Sequence, residues 1–394
     1  MAESTEVVVI GGGYAGVMAA NRLTRRDDVY VTLINPRSTF VQRIRLHHLV
    51  AGSGDPLVEY EQTLSPAVRL VVDAATRIDA AERSVSLASG GAVRYDYLVY
   101  AVGSGSAEPS APGAAEFAYT MDTLEAAQRL RSVLDDTPLS APVTVVGSGP
   151  TGNEVAAELA DAGRPVTLLA GTRFAPYLHP KARQTVRKRM ARLGVTVLEG
   201  TATAVTRDAV RLGDGKEVPS AVTVWTAGFG VPDLAVRSGL RTDDKGRLIT
   251  DETLTSVDDE RIVAAGDSVS PSGVPLRMSC QGAIPLGAHA ADTVLARLSG
   301  DRPAPIDIGL PAVCTSLGSG NATMQFLAKN GEARRLFVSG RLGSKLKEFT
   351  YPHVIGMLAK EAREPGTFVW KPKDERRSSL LAERGAARAV DRAA

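Results

Sequence analysis

Cysteine is nearly missing from these 394 residues. Cys280 and Cys314 are the only two, far apart, with no C-x-x-C pair and no cysteine–histidine grouping at zinc spacing. A disulfide framework and a dithiol redox centre are thereby excluded. Charge of one sign is also lacking: the net charge is +2, which gives no footing for a dominant nucleic-acid interface. No apolar run reaches the length of a membrane span. The amino terminus passes almost directly into a strand, without the basic region, apolar core and cleavage site of a secretory signal. The expected address is therefore cytoplasmic, with weak peripheral membrane contact left open. Aromatic residues are only 5% of the chain, yet 44% is apolar, so it is globular, with length for two to three domains.

What is present in quantity is glycine, and it is placed with a pattern. Gly11-Gly-Gly13-Tyr14-Ala15-Gly16 follows the apolar run Val7-Val-Val-Ile10, and Gly147-Ser-Gly149-Pro150-Thr151-Gly152 follows Val143-Thr-Val-Val146. Each run reads as a buried parallel strand that feeds a tight turn and a helix. The first glycine permits the turn, the second lets backbone approach a pyrophosphate, and the third lets the helix pack on the strand. The helix N-terminus then offers unpaired N–H groups to phosphates. Glycine turns also arise for steric reasons alone, but two copies in the same strand–turn–helix setting imply two bound dinucleotides. The fold expected is α/β, with two Rossmann-like dinucleotide-binding domains of the three-layer ββα/β sandwich type and a C-terminal α+β region.

Further anchors give the chain a family likeness. Arg261-Ile-Val-Ala-Ala-Gly266-Asp267 is a strand ending in Gly-Asp, and Ala101-Val-Gly103 and Thr226-Ala-Gly228 are short motifs at which the chain passes between domains. With the two fingerprints, these resemble the two-dinucleotide-binding-domain flavoproteins related to the pyridine nucleotide-disulfide oxidoreductases. The nearest likeness is to type II NADH dehydrogenases and their apoptosis-inducing-factor-like soluble relatives. The resemblance covers about the first three hundred residues well, and Ser316-Leu-Gly318 and Lys345-Leu-Lys-Glu348 resemble pieces of the C-terminal portion. It implies an FAD domain in 1–105 and 255–302, a connecting segment in 106–139, an NAD(P)H domain in 140–254, an acceptor or dimer region in 303–373 and a charged tail in 374–394.

The resemblance also assigns residues. FAD would be met by Gly11, Gly13, Tyr14, Ala15, Gly16, Asn35, Arg43, Ala75, Ala101, Gly103, Gly266, Asp267 and Cys280, and the nicotinamide nucleotide by Gly147, Gly149, Pro150, Thr151, Gly152, Arg173 and Gly228. Asp267 would bind the ribityl chain, although an isolated Asp in such a place also reads as a helix cap. Asn35 stands where an acidic residue usually binds adenosine ribose, and an amide can still accept from a hydroxyl. In the second unit the strand Val166-Thr-Leu-Leu169 runs into Ala170-Gly-Thr-Arg173. No carboxylate there repels a 2′-phosphate and Arg173 is placed to pair with one, so NADPH is favoured over NADH, the plain alternative for Arg173 being a surface charge.

Met278-Ser-Cys280-Gln281-Gly-Ala-Ile-Pro-Leu-Gly287 resembles the helix start that faces the flavin ring, where a positive helix end stabilises negative charge. Gln281 matches the family's first glutamine of the quinone site, while Pro285 and Leu286 replace later ones. Glu154 matches the family's glutamate beneath the nicotinamide; as a bland alternative it would complement the helix dipole. Gln281 and Glu154 are the catalytic candidates, and Cys280 reads as a small apolar filler. Phe40-Val-Gln-Arg43-Ile-Arg45-Leu-His-His48 occupies the place of the redox cysteines in disulfide reductases and holds none, so electrons leave the flavin directly. Arg43, Arg45 and His48 are candidates for flavin or acceptor contact, or else a solvated basic face. His179, His289 and His353 have no partners at metal spacing, and no metal is expected.

The function expected is an FAD-dependent NAD(P)H oxidoreductase passing hydride to a quinone-like or other small acceptor. Two alternatives stand beside it: a tailoring flavoenzyme acting on a specialised metabolite, and a redox-sensing flavoprotein with little turnover. The strongly amphipathic terminal helices of a monotopic respiratory enzyme are missing, so a soluble protein is expected, with a homodimer left open. The tail from Arg376 to Arg392 interleaves Arg with Asp and Glu and reads as solvated, with no nucleic acid bound.

Overall fold

Continuous apolar runs make strands buried on both faces, and such strands pair in parallel beneath helices. The computed structural model, which describes residues 4–384, shows this twice. Five parallel strands lie in the order Ile262–Ala264, Tyr97–Tyr100, Thr5–Ile10, Val29–Asn35, Val68–Val72. A second parallel sheet has the order Ala118–Tyr119, Val222–Trp225, Val143–Val146, Val166–Leu169, Thr196–Leu198. Each is accompanied by a three-stranded antiparallel meander, Ala75–Asp79 with Ser84–Leu87 and Ala92–Arg94 in the first unit, and Ala202–Val205 with Ala209–Leu212 and Glu217–Pro219 in the second. The expected three-layer α/β plan is present in both halves.

The first unit packs the helix Tyr14–Leu23 against the helix Cys280–Leu298. A Cβ on Gly287 would lie 2.2 Å from the Ala15 carbonyl oxygen, so only hydrogen fits at this crossing. Pro285 lies inside the second helix, where it deletes the N–H that would have reached the Gln281 carbonyl.

The chain crosses between units twice at one place, where Gly105–Ser106 pairs antiparallel with Phe229–Gly230. Side-chain packing runs across two of the expected boundaries. Leu234, Ala235, Leu240, Leu248 and Leu254 join the first unit's core, so the return precedes 255. The segment 106–139 is more than a connector: Ala118–Tyr119 extends the second sheet, and Leu130 and Leu134 of the helix Leu124–Asp136 are buried in its core.

The C-terminal region is an antiparallel sheet, Ala312–Ser316, Ala322–Leu327 and Ala333–Ser339, followed by the 24-residue helix Gly340–Arg363. Buried Asn21 clamps that helix to the first unit, its amide donating to the carbonyls of Thr63 at 2.8 Å and Leu358 at 3.1 Å. The start of the tail departs from a solvated reading. Arg377 is buried and its guanidinium meets Glu252 at 2.6 and 2.9 Å, a bidentate pair that anchors this stretch to the first unit. Residues 385–394 of the predicted tail lie outside the described residues.

Candidate active site at the junction of three units

The two glycine turns are built alike. Gly11 and Gly147 sit at φ +103° and +108°, a left-handed region that favours glycine. A Cβ on Gly16 would fall 1.8 Å from the Gly11 carbonyl oxygen, and one on Gly152 would fall 1.8 Å from that of Gly147. The middle glycines differ: a Cβ on Gly13 or Gly149 would meet nothing within 4 Å. Their φ values of −85° and −67° suit any residue, so what the missing side chain preserves is open space in front of the turn. The helices Tyr14–Leu23 and Pro150–Asp161 start there with no side-chain cap and no acidic residue in the first turn. Their leading N–H groups are free for an anion. Pro150 takes the first helical position, where its missing N–H costs nothing, and Thr151 follows.

Asn35 is placed differently from a free ribose acceptor. Its Oδ1 accepts the Gly12 N–H at 3.0 Å and its Nδ2 donates to the Arg37 carbonyl at 2.8 Å, so the amide first holds the glycine loop. The loop is braced on its other side by Tyr60, whose hydroxyl donates to the Gly12 carbonyl at 2.8 Å.

Two of the other candidates, Ala101 and Gly266, stand at the first turn. Ala101 is buried, its carbonyl oxygen 2.4 Å from where a Gly11 Cβ would stand. Gly103, Gly228 and Gly266 take φ of +73°, +89° and +78°, and a Gly266 Cβ would be 3.1 Å from that of Ala15. Ala75 opens the meander strand Ala75–Asp79, opposite Leu87.

Asp267 accepts from the Ser104 hydroxyl at 2.6 Å and from the Ser279 N–H at 2.9 Å. Arg43 is no solvated surface charge: it donates to Ser104 Oγ at 3.2 Å and to the Asp122 carbonyl at 3.0 Å. Ser279 caps the helix Cys280–Leu298 by accepting from the Gly282 N–H at 3.2 Å. Beside this helix start two buried polar atoms lack a protein partner, Tyr14 Oη and Gln281 Oε1. An orphaned hydroxyl, an orphaned amide oxygen and the Gly13 cradle fit a polar ring-bearing dinucleotide such as FAD. Burial pushes the Cys280 thiol up to about 11, consistent with a filler and not with a thiolate nucleophile.

Glu154 lies in the second turn of its helix, which removes the helix-dipole explanation. Its buried carboxylate meets Lys347 Nζ at 2.9 Å and the Ser316 N–H at 3.0 Å, with His47 Nδ1 3.8 Å away. Burial alone would raise this carboxyl, but Lys347 and His47 outweigh it and hold it below its ordinary range. Lys347 is shifted upward against its own burial by Glu154. Burial drives His47 down to about 4, so its imidazole is neutral near pH 7. One turn along, Glu158 accepts from the hydroxyls of Ser316 and Ser53, each at 3.3 Å. The site thus joins the helix Pro150–Asp161 of the second unit, the short helix Leu46–Ala51, which comes from the amino-terminal part of the chain but packs in the second unit's core, and the C-terminal strand Ala312–Ser316 and helix.

His47, Glu158, Lys347 and Tyr351 were not singled out by sequence reasoning. Lys347 and Ser316 sit inside segments quoted for their family likeness, but no local pattern marks which lysine turns inward. The His47-His48 doublet beside the missing redox cysteines was the one available signal. His179 caps the helix Pro180–Arg192, His289 bonds the Ala304 carbonyl and His353 stacks on Phe349, all ordinary roles. In the nucleotide half, Arg173 is exposed on the turn after Val166–Leu169.

Comparison with known proteins agrees with this architecture. The family model for pyridine nucleotide-disulphide oxidoreductases matches residues 5–292. A NADH dehydrogenase-like protein of Mycobacterium tuberculosis is 32% identical over 349 residues, covering 81% of this chain and 86% of its own. The type II NADH:quinone oxidoreductase Ndh of the same organism is 28% identical, covering 76% and 74%. Among solved structures, NDH2 from Plasmodium falciparum in complex with NADH superposes with a TM-score of 0.76 at 15% identity, over 93% of this chain and all of that one. The last likeness concerns the fold. With duplicated nucleotide turns, the Gly-Asp strand end and a family match across most of its length, the chain belongs to the pyridine nucleotide-disulphide oxidoreductase family.

Proposed function

We propose that this chain is an FAD-dependent NAD(P)H oxidoreductase that delivers reducing equivalents to a quinone-like acceptor without a redox disulfide. The observation that carries the reading is the paired glycine turn, each copy opening at Gly13 or Gly149 onto space with nothing within 4 Å. FAD, when bound, supplies the two-electron chemistry that links nucleotide to acceptor. The chain's own part is placement. The two helix N-termini take the two pyrophosphates, and Asp267, fixed by Ser104 and Ser279, takes a hydroxylated chain. Gln281 offers its orphaned oxygen to a ring donor, and the Glu154–Lys347 pair holds charge and a transferable proton where the three units meet. The name of the M. tuberculosis relative Ndh supports NADH as donor and a quinone as acceptor.

Two finer readings belong here. Arg173, with no carboxylate at Ala170, favours NADPH, because a guanidinium pairs with a 2′-phosphate. The C-terminal helix and its sheet form the face that touches an anionic bilayer. Leu336, Leu342 and Phe349 are each more than half exposed there, beside Arg334, Arg335, Arg341 and Lys345. No described helix is long and apolar enough to cross a membrane, so the contact is peripheral. The test is anaerobic stopped-flow mixing of flavin-loaded protein with NADH or NADPH, then with a soluble quinone. Bleaching of the flavin absorbance and its return on quinone addition is the expected result; protein that takes up no flavin, or is bleached by neither nucleotide, overturns the reading.

A further inference from the structure

Glu154 and Glu158 stand one helical turn apart on Pro150–Asp161, both buried, and each faces one of two consecutive histidines. His47 Nδ1 is 3.8 Å from Glu154 and His48 Nδ1 is 3.7 Å from Glu158, with the two imidazoles 4.1 Å apart between ring centres. Among the described residues the cation Lys347 stands beside Glu154, and the groups facing Glu158 are His47, His48, Ser53, Ser316 and Tyr351. Ser53 connects this interior to water. It is exposed, its hydroxyl is 3.0 Å from His48 Nδ1, and it donates to Glu158 Oε2 at 3.3 Å. Gly52, at φ +74°, makes the left-handed turn that folds Ser53 back onto the helix end, with the Ser53 N–H on the His48 carbonyl at 2.8 Å. His48 Nε2 is held 3.2 Å from the Tyr351 hydroxyl, which fixes the ring.

Reduction of a quinone by NAD(P)H breaks one C–H bond of the dihydronicotinamide and forms two O–H bonds. The nucleotide supplies two electrons and one hydrogen nucleus, and water must supply the other proton. We propose that Ser53, His48 and Glu158 are the inlet for that solvent proton, passing it by way of His47 to the buried Glu154–Lys347 pair. The assignment rests on the functional reading above. Each member is suited to relay: a hydroxyl donates and accepts, an imidazole accepts at one nitrogen and donates at the other, and the Glu158 carboxylate, which against its burial is held below its ordinary range by His48, His47 and Ser316, accepts a passing proton and releases it readily. Ser53 is exposed and the Glu154–Lys347 pair is buried, so the three lead from solvent to that pair as positioning and relay residues.

The test compares wild type, Glu158→Gln and Ser53→Ala in the flavin-loaded enzyme, with nucleotide and quinone half-reactions measured separately. Ser53 lies at the surface, so its variant folds even if the buried substitution does not. The expected outcome is a quinone half-reaction slowed about tenfold or more relative to the nucleotide half-reaction in Glu158→Gln, and severalfold in Ser53→Ala. The solvent deuterium isotope effect should rise, and added imidazole should restore the rate. Infrared difference spectra of reduced minus oxidised enzyme should carry a carboxyl C=O band that Glu158→Gln removes. Equal half-reaction ratios, an unchanged isotope effect and a surviving band overturn the inlet while leaving the functional reading standing. A protein that binds no flavin or is reduced by neither nucleotide overturns that reading instead.

Discussion

Lys347 Nζ and Glu154 Oε1 lie 2.9 Å apart in a buried pair whose partners are 193 residues apart in the chain. One comes from the long C-terminal helix and the other from the helix behind the second glycine turn. The contact therefore welds the C-terminal region to the nucleotide unit.

Lys347→Met leaves an unpaired buried carboxylate and should cost about 3–5 kcal/mol, whereas Lys347→Met with Glu154→Gln should recover most of it. Urea unfolding midpoints at pH 7 measure both. The pair also sets a pH window. Glu154 is depressed, so its contribution is complete above the ordinary 4.5 and fades as pH falls through the folded value; Lys347 is raised, so its contribution is complete below the ordinary 10.5 and fades as pH rises through its folded value. The pair's stabilisation should be flat between those limits.

His47 acts on the acid side. Burial lowers it from 6.5 to about 4, so the folded state disfavours the imidazolium and stability present above pH 6.5 is lost as pH falls towards 4. The loss is up to about 3 kcal/mol at one pKa unit per 1.36 kcal/mol. Unfolding followed from pH 7 to 4 should show this slope in the wild type and a shallower one in His47→Gln.

The glycines separate into two kinds. Gly16→Ala and Gly152→Ala drive a Cβ to 1.8 Å from a carbonyl oxygen and should destabilise by at least about 3 kcal/mol. Gly13→Ala and Gly149→Ala meet nothing in the protein and should cost only about 1 kcal/mol as caps. Gly13→Ala should nonetheless lose flavin, and Gly149→Ala should raise KM for the nucleotide about tenfold or more. Thermal melts read beside flavin absorbance distinguish the two classes.

Arg173→Ala should lower the NADPH-to-NADH ratio of kcat/KM by about tenfold, the equivalent of roughly 1.4 kcal/mol from a lost guanidinium–phosphate contact. Steady-state kinetics with both nucleotides reads it directly, and an unchanged ratio would show Arg173 to be a surface charge only.

Local rules explain which features could be read early. Val7–Ile10 is apolar without a break, Val143–Val146 has only Thr144 among its valines, and the glycines follow both at fixed offsets. All of this is decided within a few residues. Asn35 shows the boundary of such reasoning. Its place at the end of Val29–Asn35 was legible, but its amide is committed to Gly12, 23 residues back. Arg377 likewise reads as one more charge in a tail until Glu252 is found opposite it.

By itself, then, the chain's order of residues determined two nucleotide-type turns, their parallel sheets, and the want of any thiol pair between them, because backbone sterics and hydrophobic periodicity act over short spans. Which charges are buried together was decided only by the tertiary structure. His47, Glu154, Ser316 and Lys347 are ordinary residues in four separate segments, which the chain crossing at Gly105–Ser106 and the Asn21 clamp on the C-terminal helix help to hold in one arrangement. A buried charge must find its partner wherever packing delivers one, and no local pattern encodes that meeting.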